Sequence, residues 1–323
     1  MPDGRPITLY CFAHAGAGVS GFHRWREQAG PGAEIVPLLL PGREGRRREP
    51  RVTTRDELVT ELLGAFTRRG PDAGPFALYG HSLGALVAYT LTRVLADKGL
   101  PGPAFVALGA CPPPEAPPAL MGAADAPEGE LVDHLAELGL APTGTAAEPD
   151  GIWRRLVLPV LRDDLRLAAN LRAAAADPST GGPLPTLLIA LGGADDPVVR
   201  PGELDGWHRW TTGPFRSRTV AGDHFFVRGQ ETPRLMGRAC RVARRLLPTP
   251  TTPGPAGAGP MAGPGPTAGP APLPEPTAGP APTAGPAPLP EPMAGPAPLP
   301  EPMAGPAPLP EPTTALTTVR NSP

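Results

Sequence analysis

Cysteine is scarce in this chain of 323 residues: Cys11, Cys111 and Cys240 are too few and too scattered to frame disulfides or ligate zinc. That scarcity fits a reducing compartment. Long apolar runs are missing as well, and no window approaches the length that a membrane span requires. The N-terminus reaches a strand-like segment at Ile7 without the basic region and apolar stretch of a secretory leader. A soluble, cytoplasmic protein with no membrane partner is expected. Nor does charge of one sign dominate: the formal net charge is −2, which provides no strongly basic face for a nucleic acid. The run Arg46, Arg47, Arg48 is short and reads as a solvated loop.

Proline, by contrast, is abundant and unevenly placed. Of 52 prolines, 25 fall in the last 75 positions. There the chain repeats Thr-Ala-Gly-Pro-Ala-Pro-Leu-Pro-Glu-Pro at 267–276, with near-copies at 283–292, 293–302 and 303–312. Such a segment has no core to bury and favours extended polyproline II, so residues 249–323 are expected to form a disordered tail, a spacer sooner than a ligand for another module. The tail sets Glu275, Glu291, Glu301 and Glu311 against Arg320, which leaves the body about neutral at +1. Residues 1–248 carry the aromatic residues and apolar segments, and a chain of that size can bury a substantial core.

Within the body, short apolar runs alternate with longer amphipathic stretches, the pattern of a mostly parallel sheet covered by helices. The expected strands are Ile7 to Phe12, Glu34 to Leu40, Phe76 to Gly80, Ala104 to Gly109, Thr186 to Leu191 and Arg216 to Val220. Helices are expected over Thr54 to Arg69, Leu83 to Lys98 and Thr232 to Leu247, the first capped by Thr54 with Glu57 three residues on. The fold class is α/β. Between Cys111 and about Thr180 the alternation stops, and a connection of about seventy residues far exceeds an ordinary loop. Helical leucine spacing over Glu128 to Leu138 and Gly151 to Ala176, with Leu158, Leu161 and Leu165 on one side, reads as an inserted lid at about 112–180. The insertion leaves from a strand's carboxyl end, where open α/β sheets place their active sites.

Chemistry concentrates at Gly80-His81-Ser82-Leu83-Gly84, a Gly-x-Ser-x-Gly nucleophile elbow set between a strand and a helix. Serine needs a base, and His224, in Gly222-Asp223-His224-Phe225-Phe226 between the last strand and the terminal helix, is the best placed. His14 and His81 flank the site and are candidates to line it, whereas His23, His134 and His208 read as surface or packing residues. The acid is expected after the preceding strand, where Asp196 is the first choice and Asp195 the second. Its role is to orient the imidazole and stabilise the imidazolium. An oxyanion hole would draw one amide from Leu83 and one from the loop His14-Ala15-Gly16-Ala17-Gly18, with Ala15 the first choice. That loop has neither Gly-x-Gly-x-x-Gly nor a Lys-Ser/Thr ending, so it is not a nucleotide cradle.

Taken together these segments resemble the type II thioesterases that serve nonribosomal peptide and polyketide synthases. The resemblance runs through Cys11-Phe12-Ala13-His14-Ala15-Gly16, Phe22 with Trp25, Pro41-Gly42-Arg43, the elbow, Leu158-Pro159-Val160-Leu161-Arg162-Asp163-Asp164, Gly192 to Val198 and Gly222 to Phe226. Pro41-Gly42-Arg43 and the lid segment discriminate best, since many lipases and esterases share the elbow. Ala13, Ala17, Leu83 and Asp223 depart from the usual residues of that family without removing a catalytic group. The resemblance implies an α/β-hydrolase fold and hydrolysis of acyl groups from the phosphopantetheine arm of acyl or peptidyl carrier protein domains, clearing misprimed or stalled synthases. It implies no metal or bound cofactor. From their places in the flanking loops and on one side of the lid, His14, His81, Leu158, Leu161 and Leu165 are the expected substrate-lining residues. A free-standing esterase or lipase would use the same triad. A non-catalytic binding protein would have no use for it.

Overall fold

The computed structural model describes residues 6–67, 74–116, 120–142, 144 and 151–247. The expected tail at 249–323, the end of the helix expected over Thr54 to Arg69 at Arg68 and Arg69, and lid residues 117–119, 143 and 145–150 lie outside the described residues.

Six strands form one parallel sheet: β1 (Ile7–Phe12), β2 (Ala33–Pro37), β3 (Phe76–His81), β4 (Val106–Gly109), β5 (Leu188–Gly193) and β6 (Phe215–Val220), in the order β2-β1-β3-β4-β5-β6. A parallel sheet buries both faces, which is why β3 and β4 are buried at every position. Helices α2 (Arg55–Thr67), α3 (Leu83–Asp97) and α6 (Leu158–Ala176) contribute to the core on one face. On the other, α1 (Trp25–Ala29) and α7 (Glu231–Leu246) pack with Tyr79 and Phe105. The capping box of α2 is reciprocal: the Glu57 amide donates to Thr54 Oγ1 at 3.3 Å, and the Thr54 amide donates to the Glu57 carboxylate at 3.1 Å.

The insertion holds α4 (Glu128–Glu137), α5 (Ile152–Leu156) and α6. Helical spacing was expected throughout Gly151 to Ala176, but the helix is interrupted at Val157, which ends α5 and precedes α6. Pro159 has no amide hydrogen and its ring would strike the preceding turn, so it opens a new helix instead of continuing the old one. Strand β2 likewise stops at Pro37, short of the expected Leu40. Two faces of α6 are committed. Leu167, Ala168 and Leu171 join the main core, while Leu158, Leu161 and Leu165 meet Leu131, Val132 and Leu135 of α4 in a separate cluster.

Strand order reverses at β1, whose neighbours are β2 on one side and β3 on the other. The loop after β1 and the turn after β3 therefore flank the crevice where open α/β sheets bind ligands. In the arginine run, Arg47 and Arg48 are exposed as expected, while the half-buried Arg46 donates to Glu49, to Glu61 at 2.6 Å and to the Leu39 carbonyl at 3.0 Å and so ties the loop to α2.

Candidate active site

Ser82 sits between β3 and α3 at φ 54° and ψ −115°, a strained combination for a side chain-bearing residue. Glycine on either side permits the turn. A Cβ on Gly80 would lie 1.9 Å from the Gly84 carbonyl oxygen, and one on Gly84 would lie 2.2 Å from the Phe12 carbonyl oxygen. The Ser82 amide donates to the Gly109 carbonyl at 2.7 Å, which anchors the turn to β4. Leu83 begins α3, so its amide belongs to the first turn, whose N–H groups have no partner within the helix. Its side chain is in the core and does not reach the cleft.

His224 and Asp196 meet from the loops after β6 and β5. The imidazole Nδ1 is 3.0 Å from both carboxylate oxygens, and both residues are buried. Asp196 is held in turn by the amides of Val198 and Val199, at 2.9 and 3.1 Å. A carboxylate only accepts, so Nδ1 carries the proton and Nε2 is left as the basic nitrogen. Asp195 is exposed, and the carboxylate bonded to the imidazole is that of Asp196.

Ser82 and His224 line one open cleft of about 650 Å³, a size suited to a small-molecule chain. The loop after β1 provides one wall through His14, Ala15 and Gly16; the lid provides another through Leu161 and Leu165. In that loop the Gly16 amide donates to Asp164 at 2.7 Å and the Ala17 amide to the His14 carbonyl at 3.1 Å. Burial pushes His14 down to about 4, so its ring stays neutral at ordinary pH.

Two expected lining residues are placed elsewhere. His81 is fully buried behind the cleft, where Nε2–H donates to the His224 carbonyl at 2.7 Å and Nδ1 accepts the Tyr79 hydroxyl at 2.9 Å. Two residues after the buried Tyr79, His81 falls on the same face of β3 and is enclosed with it, and burial holds its pKa well below the histidine range. Leu158 is turned into the lid's own core with α4 and is absent from the cleft lining. Conversely, Trp153, Val157, Leu120, Leu135, Phe225 and Arg228 line the cleft and were not singled out from sequence. The Arg228 guanidinium lies 4.4 Å from the Phe225 ring centroid, a cation–π contact beside the histidine loop. The hydrophobic character of Trp153 and Phe225 was visible in the sequence; which way each faces depends on how α5 and the loop after β6 pack.

Residues 7–240 match the family described as Thioesterase domain. The chain is 34% identical over 229 residues to Thioesterase PikA5 of Streptomyces venezuelae, covering 69% of this chain and 76% of that protein. It is 32% identical over 250 residues to the probable cadicidin biosynthesis thioesterase of Streptomyces griseus, covering 76% of this chain but only 64% of that longer relative. Among solved structures it resembles the type II thioesterase BorB from the borrelidin biosynthetic cluster, with a TM-score of 0.60 and 28% identity over 73% of this chain and 93% of that one.

Proposed function

The chain belongs to the type II thioesterase family of polyketide and nonribosomal peptide pathways, and from that membership we propose that Ser82, His224 and Asp196 hydrolyse acyl groups held as thioesters on carrier-protein phosphopantetheine. The observation that carries the residue assignment is that His224, which lines one cleft with the strained Ser82, turns its Nδ1 to both carboxylate oxygens of the buried Asp196 behind it.

Ser82 Oγ attacks the thioester carbonyl as His224 Nε2 takes its proton. The negative oxygen is received by the amides of Leu83 and Ala15. Among amides 15–17, those of Gly16 and Ala17 are committed elsewhere, which supports Ala15 as the loop donor. The imidazolium, stabilised by Asp196, then protonates the pantetheine sulfur as the C–S bond breaks. Water, deprotonated by His224, attacks the acyl-serine, and collapse of the second tetrahedral species releases the carboxylic acid and returns the proton to Ser82. Fixed amide dipoles contribute most where charge develops, which is why the elbow opens a helix.

The test compares turnover of an acyl-carrier protein with the matching acyl-pantetheine thioester and a simple ester of the same acyl group. Preference for the carrier-bound thioester in kcat/KM is expected. Equal turnover of the free ester would assign the cleft to general ester hydrolysis.

A further inference from the structure

Pro41-Gly42-Arg43 and the segment ending in Asp164 lie 121 residues apart in sequence and supply nothing to the proposed triad, yet the structure joins them. Arg43 Nη1 and Nη2 donate to Asp164 Oδ2 and Oδ1 at 2.8 and 2.7 Å. Both side chains are buried, at 7% and 1% exposure. The pair also grips the loop after β1 from both sides. Asp164 Oδ2 accepts the Gly16 amide at 2.7 Å, and Arg43 Nη1 donates to the Ala17 carbonyl at 3.3 Å. A further bond from Arg43 Nε to the Pro41 carbonyl, at 3.4 Å, ties the guanidinium to its own turn. Helix α6 lies directly on the loop here: Gly16 has φ +74°, and a Cβ on it would stand 3.3 Å from Leu161 Cβ.

Burying an ion pair is a poor way to glue a helix to a loop, because desolvation offsets most of the attraction and apolar residues would hold as well. Direction is what it adds. A bidentate guanidinium–carboxylate pair is planar and fork-like, so the two loop groups bonded to it are held in orientation as well as in place. The Gly16 N–H and Ala17 C=O turned toward the pair belong to the peptide units 15–16 and 17–18. The Ala15 N–H lies in the unit before them, whose His14 carbonyl accepts the Ala17 amide at 3.1 Å, so the turn that the pair anchors holds that unit as well.

We infer that Arg43 and Asp164 are positioning residues for the oxyanion step: their buried pair joins lid helix α6 to the loop after β1 and aims the Ala15 amide at the reacting carbonyl oxygen. This rests on the reading that Ala15 is an oxyanion donor. Neither residue touches the reacting atoms; they act through the loop. The lid thereby becomes part of the catalytic frame, and movement of α6 would loosen the oxyanion hole.

The decisive variant replaces the pair with apolar residues, Arg43→Met with Asp164→Leu, because such exchanges of buried ion pairs commonly preserve stability while removing the directional bonds. Three quantities are read in wild type and variant: melting temperature, kcat and KM on one acyl-pantetheine thioester, and inhibition by two matched ligands. One ligand is an acyl trifluoromethyl ketone, whose adduct with Ser82 bears the negative oxygen; the other is the corresponding alcohol, which forms no adduct. A folded variant is expected to lose roughly 10- to 100-fold in kcat, somewhat less than full deletion of an oxyanion donor, with KM nearly constant. Ketone affinity should fall by a similar factor and alcohol affinity should hold. Wild-type kcat and ketone affinity in a folded variant would overturn the inference, as would equal weakening of both ligands. If the double variant does not fold, Arg43→Lys and Asp164→Asn are read in the same way, and collapse of all three would assign the pair to folding alone and overturn it. A wild type that neither hydrolyses thioesters nor forms the ketone adduct would instead refute the proposed function itself.

Discussion

At Ser82 the backbone holds φ 54°, a conformation that costs of order 1–3 kcal/mol and persists because β3, α3 and the Gly109 carbonyl over-determine it. The hydroxyl is thereby offered to the cleft beside His224. Replacing either Ser82 or His224 by alanine is expected to lower kcat by roughly 10⁴- to 10⁶-fold, as measured with an acyl-pantetheine thioester, because both serve one step. Asp196→Asn should cost about 10³- to 10⁴-fold by favouring the wrong imidazole tautomer. Asp195→Asn, at an exposed turn, should stay within a few-fold of wild type. The opposite ranking would move the acid by one residue.

His81 acts at the same scale but beneath the cleft. Burial depresses its folded pKa below the unfolded value of about 6.5, so the unfolded chain binds a proton first as pH falls. Its contribution to stability is therefore complete above about pH 6.5 and is lost as acid is added through its depressed folded pKa. Melting temperature followed from pH 8 to pH 4 should drop in acid, and His81→Gln should flatten that drop. An acid slope unchanged in this variant would transfer the effect to other groups, His14 first among them.

Among the elements, α6 has two duties that follow from its two apolar faces. Leu167, Ala168 and Leu171 make it a structural layer over α3, and Leu161 with Leu165 makes it a wall of the cleft. Helix α5 stays out of the main core: Trp153 borders the cleft and packs on the lid's own cluster, while Ile152 and Leu156 are exposed. Acyl selectivity is thus best altered from α5, where a change leaves the main core alone. Leu161 is a poorer choice because it presses on Gly16. Trp153→Ala should enlarge the acyl region and raise kcat/KM for long chains relative to acetyl. The shift across a chain-length series should be graded, since one methylene in an apolar pocket is worth only about 1–3 kcal/mol. A parallel loss on every chain length would place Trp153 at the pantetheine entrance instead.

For the whole molecule, no helix among the described residues is long and apolar enough to cross a membrane. The matched family segment, 7–240, ends inside α7, before the proline-rich repeats begin. A chain ended at Pro248 is therefore expected to keep the melting temperature within a few degrees and kcat/KM within about twofold, because proline repeats of this kind bury little apolar surface. Calorimetry and carrier-thioester assays on the two lengths decide this. A large loss in either measurement would show that the repeats dock on the body.

Local pattern was enough to read the α/β alternation, the elbow, the histidine loop and the capping box of α2. Each depends on residues close in sequence: a glycine-flanked serine between apolar strand and helix, or Thr54 and Glu57 one turn apart. The break at Val157 was also written locally, in Pro159, but the leucine spacing across it masked the signal. Direction was decided only by tertiary packing. His81 and His14 are both histidines beside strand ends, yet one is walled in by Tyr79 and Phe226 while the other opens on the cleft. Leu158 and Leu161 lie one turn apart on the same apolar side, and packing against α4 hides only the first from the cleft. Arg43 and Asp164 carry opposite charges far apart in the chain, and no periodicity relates them. They meet because β2 lies beside β1, so the loop after β2 that carries Arg43 stands against the loop after β1 and under the lid helix, and a buried charge pair requires that convergence in three dimensions.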